Sequence, residues 1–346
     1  MDWMGLKEEH KLLRQDIKRF AETELAPQVS ETDKKGEPLI ASMKKLAEIG
    51  GLGILISEEF GGAGMDLLSL VITLEELAKV FPSFALSVAI HNLVGDTILS
   101  YGSTELKKEF LSSLSTGKII GGMAVDTMLH PVASDGKRER LIVNGTFSDI
   151  FGFSMEKEEK KQFVVLKSDK RLKEEKEMMG MKSSGICSFK PNEKEIIERN
   201  TFTIDSPDNF FAKMRVLFAG VACGISLASF GHARSYSKER YQFGRPIAEF
   251  GMVRIMLAEM ASKANASEML VYQASQESDI LDREIASIFA EENSLYVTDK
   301  GVQIYGGYGY IKDYPLEMFF RDAKVLEIFS GSVDYRKVLV GELLTS

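Results

Sequence analysis

Ile247-Ala248-Glu249-Phe250-Gly251-Met252-Val253-Arg254-Ile255-Met256-Leu257-Ala258-Glu259-Met260 opens a stripe in which Ile247, Phe250, Val253, Leu257, Met260, Ala264 and Val271 advance in steps of three, four or seven. That is the period of an α-helix with one apolar face, and so long a stripe predicts helices packed against one another in a bundle. The period continues on both sides. A further helix is predicted over roughly Arg283 to Ile304 and a last one after Ser332. Upstream, Val216 to Gly231 is uncharged and rich in Ala, Gly and Ser, flanked by Arg215 and His232. It is shorter than the ~20 residues that span a bilayer. It reads as a helix buried on most sides, where small residues let neighbouring backbones come close.

Before this bundle the pattern changes. From about 119 to 204 short apolar runs, Leu141-Ile142-Val143, Phe163-Val164-Val165-Leu166, Ile186-Cys187-Ser188-Phe189 and Phe202-Thr203-Ile204, alternate with polar or turn residues, which predicts a small β domain. A charge run within it, Glu156 to Lys161, reads as a solvated loop or an exposed strand edge. Residues 1–116 return to helical spacing, with Leu13, Ile17 and Phe20, then Met43, Leu46 and Ile49, then Leu67 to Val80 and Phe84 to Leu99. Gly50-Gly51-Leu52-Gly53 and Gly61-Gly62-Ala63-Gly64 punctuate them. Helices, a β domain and a helical bundle make an α+β architecture.

Composition excludes several classes. With 51 acidic against 43 basic residues the net charge is −8, unlike the basic surface of a dedicated nucleic-acid protein. Two cysteines, Cys187 and Cys223, cannot build a staple framework or a four-cysteine zinc site and suit a reducing cytoplasm. The N-terminus lacks a signal-peptide core, so the expected location is cytoplasmic, with neither membrane nor nucleic acid as partner. Metal-ligand spacing, a P-loop and a GxSxG elbow do not occur, and His10, His91, His130 and His232 form no base–nucleophile pattern.

Three local patterns carry binding chemistry. In Gln303-Ile304-Tyr305-Gly306-Gly307-Tyr308-Gly309-Tyr310 a helix end runs into a glycine-rich turn, which lets a backbone approach a ligand and offer N–H groups to an anion. A helix C-cap would use the same residues. In Lys238-Glu239-Arg240-Tyr241-Gln242-Phe243-Gly244-Arg245-Pro246 two arginines bracket an aromatic–glycine turn, and the planar guanidinium suits phosphate. A solvated interhelix loop is the plain alternative. Arg321-Asp322-Ala323-Lys324 is followed by Phe329-Ser330-Gly331-Ser332, a turn that caps a helix and can present free N–H groups.

In this order and spacing the patterns resemble the acyl-CoA dehydrogenase family. Tyr314-Pro315-Leu316-Glu317 extends the C-terminal match, and Glu58-Glu59-Phe60-Gly61-Gly62-Ala63-Gly64 with Leu74-Glu75-Glu76-Leu77-Ala78 resembles the N-terminal signature. The similarity is strongest in the last third and poorest from 123 to 180. It implies an N-terminal α-helical domain (1–116), a shortened middle β domain (117–206) and a C-terminal four-helix bundle (207–346). It further implies FAD as cofactor, a tetramer built from dimers, and α,β-dehydrogenation of an acyl thioester carried on CoA or an acyl carrier protein. By the same resemblance Arg240, Phe243, Gln303, Gly306 and Gly307 hold the diphosphate and adenosine of an FAD lying mainly in the neighbouring subunit. Ser332 meets the flavin of its own subunit, and Ser134 and Arg215 fall beside the acyl-CoA.

Two departures stand out. The family's catalytic glutamate, which takes the α-proton, is replaced by Ser330, and the alternative position used by some members holds Met214. A serine needs a helper to act as a base, and none is evident in the sequence. Glu327 and Asp334 are the nearest carboxylates along the chain. The Trp and Thr expected against the flavin fall on Asp149 and Phe151. Two readings follow: a working flavoenzyme with a displaced base, or a non-catalytic subunit that completes the FAD site of an intact partner in a hetero-oligomer.

Overall fold

The computed structural model describes residues 6–125, 140–157, 160–168, 174–190, 200–276 and 278–345. Six helices come first: α1 (Glu8–Phe20), α2 (Val29–Lys35), α3 (Ile40–Glu48), α4 (Leu67–Ala78), α5 (Pro82–Tyr101) and α6 (Thr104–Ser115). Local chemistry sets their ends. Asp66 caps α4 by accepting the Ser69 N–H at 2.9 Å, and Pro82 opens α5 where a missing N–H costs nothing. α4 and α5 are buried on almost every side, which is why their sequences are continuously apolar rather than striped.

The middle of the chain forms one sheet from β1 (Gly121–Ala124), β2 (Arg140–Val143), β3 (Ile150–Lys157), β4 (Lys160–Lys167), β5 (Glu174–Glu175), β6 (Cys187–Phe189) and β7 (Thr201–Thr203). The strand order is β5-β6-β2-β1-β3-β4-β7, with β1 and β3 parallel and the other neighbours antiparallel. The described part of the charged run, 156–157 and 160–161, ends the β3–β4 hairpin, whose register runs from Ile150 opposite Lys167 to Lys157 opposite Lys160, beyond the stretches that pair with β1 and β7.

The chain then returns to helices: α7 (Pro207–Glu239), the β8–β9 hairpin (Tyr241–Gln242 and Arg245–Pro246), α8 (Gly251–Ala274), α9 (Ile280–Tyr305), α10 (Leu316–Phe329) and α11 (Val333–Thr345). α7 packs on α4, α8 and α9, and α10 packs on α9. By length and composition α7 could cross a membrane, yet 72% of its most apolar window is buried within the protein. The stripe at 247–271 divides: Ile247–Glu249 form a single 3-10 turn, and within α8 Met260, Ala264 and Val271 are buried while Val253 and Leu257 are half-buried.

Arg321 of α10 ties the three parts together. It donates to both carboxylate oxygens of Asp33 in α2, to the Met179 carbonyl beyond β5, and to Glu317 one turn earlier. A second ionic cluster, Arg14, Glu75, Glu76, Lys79 and Glu268, fastens α1 and α4 to α8.

Candidate active site

Two places carry chemistry, one open and one closed. The open one lies where α7 and α9 end. Past Glu239 the chain leaves the helix at Arg240 and folds into the β8–β9 hairpin, whose turn residues Phe243 and Gly244 have φ of 52° and 79°. α9 stops at Gly306, with φ 60° and ψ −134°, a conformation that only glycine adopts without strain. The two loops converge on one cleft of about 480 Å³, lined among others by Tyr236, Arg240, Gln242, Gly306, Gly307 and Tyr308.

A Cβ built at Gly306 or Gly307 would meet nothing within 4 Å, so their backbones face free space. Tyr236 stacks on Tyr305 with centroids 4.0 Å apart and forms an aromatic wall. Partial burial, with Tyr236 and Glu239 nearby, pushes the Tyr305 hydroxyl up to about 12, so it stays a neutral phenol at physiological pH. Among the described residues no carboxylate pairs with Arg240, whose guanidinium lies over the Tyr308 ring. An uncommitted arginine, a glycine turn and an aromatic wall suit an aromatic nucleotide with a diphosphate.

The sequence-predicted residues divide around this cleft. Arg240, Gly306 and Gly307 line it. Gln303 is exposed one turn earlier, and Phe243 is 92% exposed at the hairpin tip with its ring edge against Phe250, so neither lines the cleft in the single chain. Ser134 lies outside the described residues, with most of the loop expected to meet the flavin.

The closed place is at the α10–α11 turn. Glu284, Ser287 and Glu291 recur at i, i+3 and i+7 on α9 and so share one face, toward α11. Arg336 of α11 is fully buried there; it donates to Glu284 at 3.1 Å, to Ser287 at 2.7 Å and to Glu291 at 2.5 Å. Ser330 donates its hydroxyl to the other oxygen of Glu291 at 2.5 Å. Arg215 of α7 pairs with Glu284 and donates to the Ser330 carbonyl at 3.0 Å. Burial pushes the Glu291 carboxyl up, with Arg336 and the Ser330 hydroxyl opposing. Burial would lower the Arg336 guanidinium, but Glu291 and Glu284 outweigh it and hold it above its ordinary value.

This corrects the sequence reading. Ser330 does have a carboxylate partner, and it is neither Glu327, which pairs with Lys324 at 2.5 Å, nor Asp334, which is exposed on the first turn of α11. It is Glu291, 39 residues upstream on another helix. Arg215, expected beside the acyl-CoA, is turned inward to Glu284, and Met214 is buried in the core. Ser332 is exposed, and its carbonyl accepts the Arg336 N–H at 3.0 Å in the first turn of α11.

The residues standing where a flavin contact was expected in the sheet are also committed. Asp149 accepts the Ile120 N–H at 2.7 Å, and Phe151 is fully buried in an edge-to-face contact with Phe189, the ring centroids 4.8 Å apart. No group of three or more His, Cys, Asp or Glu among the described residues is arranged to hold a metal ion.

Comparison with known proteins agrees with this architecture. Residues 7–118 match the acyl-CoA dehydrogenase N-terminal domain and residues 205–344 the acyl-CoA dehydrogenase C-terminal domain. An acyl-CoA dehydrogenase of Bacillus subtilis is 30% identical, with 99% of each chain covered. A short-chain-specific acyl-CoA dehydrogenase of Clostridium acetobutylicum is 30% identical over 97% of this chain and 98% of its own. Butyryl-CoA dehydrogenase from Megasphaera elsdenii superposes with a TM-score of 0.89 at 26% identity, with 99% of each chain covered. The chain therefore belongs to the acyl-CoA dehydrogenase family.

Proposed function

We propose that the protein is an FAD-binding subunit of an acyl-CoA dehydrogenase-type assembly, in which Arg240, Gly306 and Gly307 grip the diphosphate of a flavin nucleotide seated mainly in the partner. We propose further that its own site lacks the base needed for α,β-dehydrogenation of an acyl thioester. The observation that carries this reading is the contrast between the open cleft at Arg240 and the sealed turn at Ser330, which is 0% exposed.

The residues of the cleft fit a dinucleotide cofactor. Arg240 brings N–H donors with no competing carboxylate among the described residues, and Gly306 and Gly307 leave room where side chains would obstruct a phosphate. When bound, FAD supplies the hydride acceptor of the reaction. The chain's own half of a flavin site fits less well. Asp149 and Phe151 are engaged within the protein, and the Ser330 hydroxyl is bound to a carboxylate that is itself tied to Arg336. A proton acceptor for the thioester α-carbon must be both unpaired and reachable, and Ser330 is neither.

Exposed apolar side chains near the cleft support assembly. Phe243 is 92%, Met252 70% and Ile255 53% exposed, on the hairpin and the first turns of α8. The partner is an intact family member or a second copy, in a tetramer. The test is the flavin content of the protein purified alone and together with a full-length relative that keeps the glutamate, followed by a panel of acyl-CoAs. Substoichiometric flavin alone and full flavin in the mixed oligomer are expected. Bleaching of flavin by any acyl-CoA in the protein on its own would overturn the non-catalytic reading in favour of a working dehydrogenase whose base stands elsewhere than position 330.

A further inference from the structure

The closed network balances its charge internally. Arg215 and Arg336 face Glu284 and Glu291, two cations against two anions, and each of the four is buried. All the guanidinium nitrogens of Arg336 are used: Nε on Glu284, Nη1 on Glu291 and Nη2 on Ser287. Ser330 is the neutral member, and it serves the network by donating a hydrogen bond to the one Glu291 oxygen that Arg336 does not reach.

We propose that Glu291 is the residue that bars a carboxylate from position 330, so that the missing base is fixed by two positions rather than one. The proposal rests on the reading that position 330 is where the family carries its base. A glutamate at 330 would set a second anion within hydrogen-bond reach of the Glu291 carboxylate, with no third cation in the network among the described residues. Like charges that close, out of water, cannot both ionise, so the pair would hold a shared proton or push one side chain out of its packing. Exchanging the two residues restores the balance. A hydroxyl at 291 and a carboxylate at 330 keep the same groups, the same net charge and one hydrogen bond between them. Arg336 then has Glu284 and the relocated carboxylate as its anions. Glu291 thus acts through Ser330 as a positioning residue that decides which side chain the turn accepts.

The experiment is a double-mutant cycle on the intact protein with Ser330→Glu, Glu291→Ser and the exchanged pair, read as the thermal unfolding midpoint from pH 5 to 8. Each single variant is expected to lower the midpoint at neutral pH by roughly 5–10 °C. The exchanged pair is expected to lose less than either. The Ser330→Glu loss should deepen as pH rises and the shared proton leaves, whereas the exchanged pair should follow the wild-type profile. A merely structural role for Glu291 would not produce that pH difference. If a single variant does not fold, recovery of soluble, cooperatively melting protein in the exchanged pair reports the same coupling. Losses that add in the pair, or a pair that stays insoluble when a single variant folds, overturn the proposal and leave the non-catalytic reading standing. Flavin bleaching by an acyl-CoA in the wild-type chain overturns that reading and leaves the cycle to be judged by its own coupling.

Discussion

The Arg240 guanidinium lies 5.6 Å from the centroid of the Tyr308 ring, although 68 residues separate them in sequence. That contact spans the mouth of the cleft and joins the loop after α7 to the turn after α9. An arginine over an aromatic face keeps its N–H groups in the ring plane direction free for other acceptors, so the pair steadies the side chain without consuming its donors.

Replacing this arginine separates binding from folding. Arg240 is exposed and lies outside any ion pair among the described residues, so Arg240→Ala is expected to change stability by no more than about 0.5 kcal/mol. Losing a charged hydrogen-bond donor to phosphate should weaken flavin retention in the assembled oligomer by roughly 10- to 100-fold. Flavin absorbance per polypeptide after gel filtration measures it, and full retention would remove Arg240 from the site.

The two glycines of the turn should behave differently from one another. At Gly306, φ 60° and ψ −134° penalise any side chain, so Gly306→Ala is expected to cost about 1–3 kcal/mol in denaturant unfolding. Gly307 has no positive φ, and an added Cβ would meet no atom within 4 Å. Gly307→Ala should therefore fold normally and lose flavin, because the new methyl projects into the cleft. Equal flavin content in the Gly307 variant and the wild type would show that no ligand backbone contact is made there.

How much of this was legible in the sequence depends on the range of each signal. The bundle was readable because the apolar stripe repeats within one helix, whereas the meeting of the 240 and 306 loops came only from the family resemblance, since the turn chemistry within each loop says nothing of its distance from the other. Glu291 was not readable. It sits in Ala290-Glu291-Glu292-Asn293, which looks like a solvated face, and only packing shows that Glu291 is buried while Glu292 reaches outward to Lys337. Arg336 likewise resembles a surface residue until α11 folds onto α9. Burial of a charge is a property of the partner helix, which local spacing does not record.

Close approach of α7 and α4 gives a third prediction, from the small-residue stretch recognised in the sequence. A Cβ at Gly224 would stand 2.4 Å from the Glu75 carbonyl oxygen and 2.7 Å from the Ala78 side chain, so Gly224→Ala must push the helices apart. About 1–3 kcal/mol of destabilisation is expected. Gly231, seven residues along the same helix, has nothing within 4 Å of an added Cβ. There Gly231→Ala should stabilise by about 0.5–1 kcal/mol through helix propensity. Opposite signs in thermal unfolding are the expected result, and a common sign would contradict the close helix contact.

Asp322 sets a pH dependence whose sign can be worked out. It is fully buried on α10, where one carboxylate oxygen accepts the Met181 N–H at 2.5 Å and the other has no hydrogen-bond partner. Burial drives its carboxyl up to about 7; the Met181 N–H and Arg321 oppose this, while Asp33 and Glu317 add to it. The folded chain therefore holds a proton that the unfolded chain releases near the ordinary carboxylate value of about 4. Stability from this group is present below that value and is lost as pH rises toward 7, by up to about 1.4 kcal/mol per pH unit, with no further change above. Glu268, raised to about 7 mainly by burial and then by Glu75, titrates in the same window, so the share of Asp322 appears only as a difference. Asp322→Asn keeps an acceptor for Met181 and carries no titrating proton. Its unfolding free energy, measured by denaturant titration from pH 4 to 8, should fall less steeply than that of the wild type up to about pH 7 and run parallel to it above. Parallel profiles across the range would mean that Asp322 is ionised throughout, with Arg321 rather than a proton neutralising it.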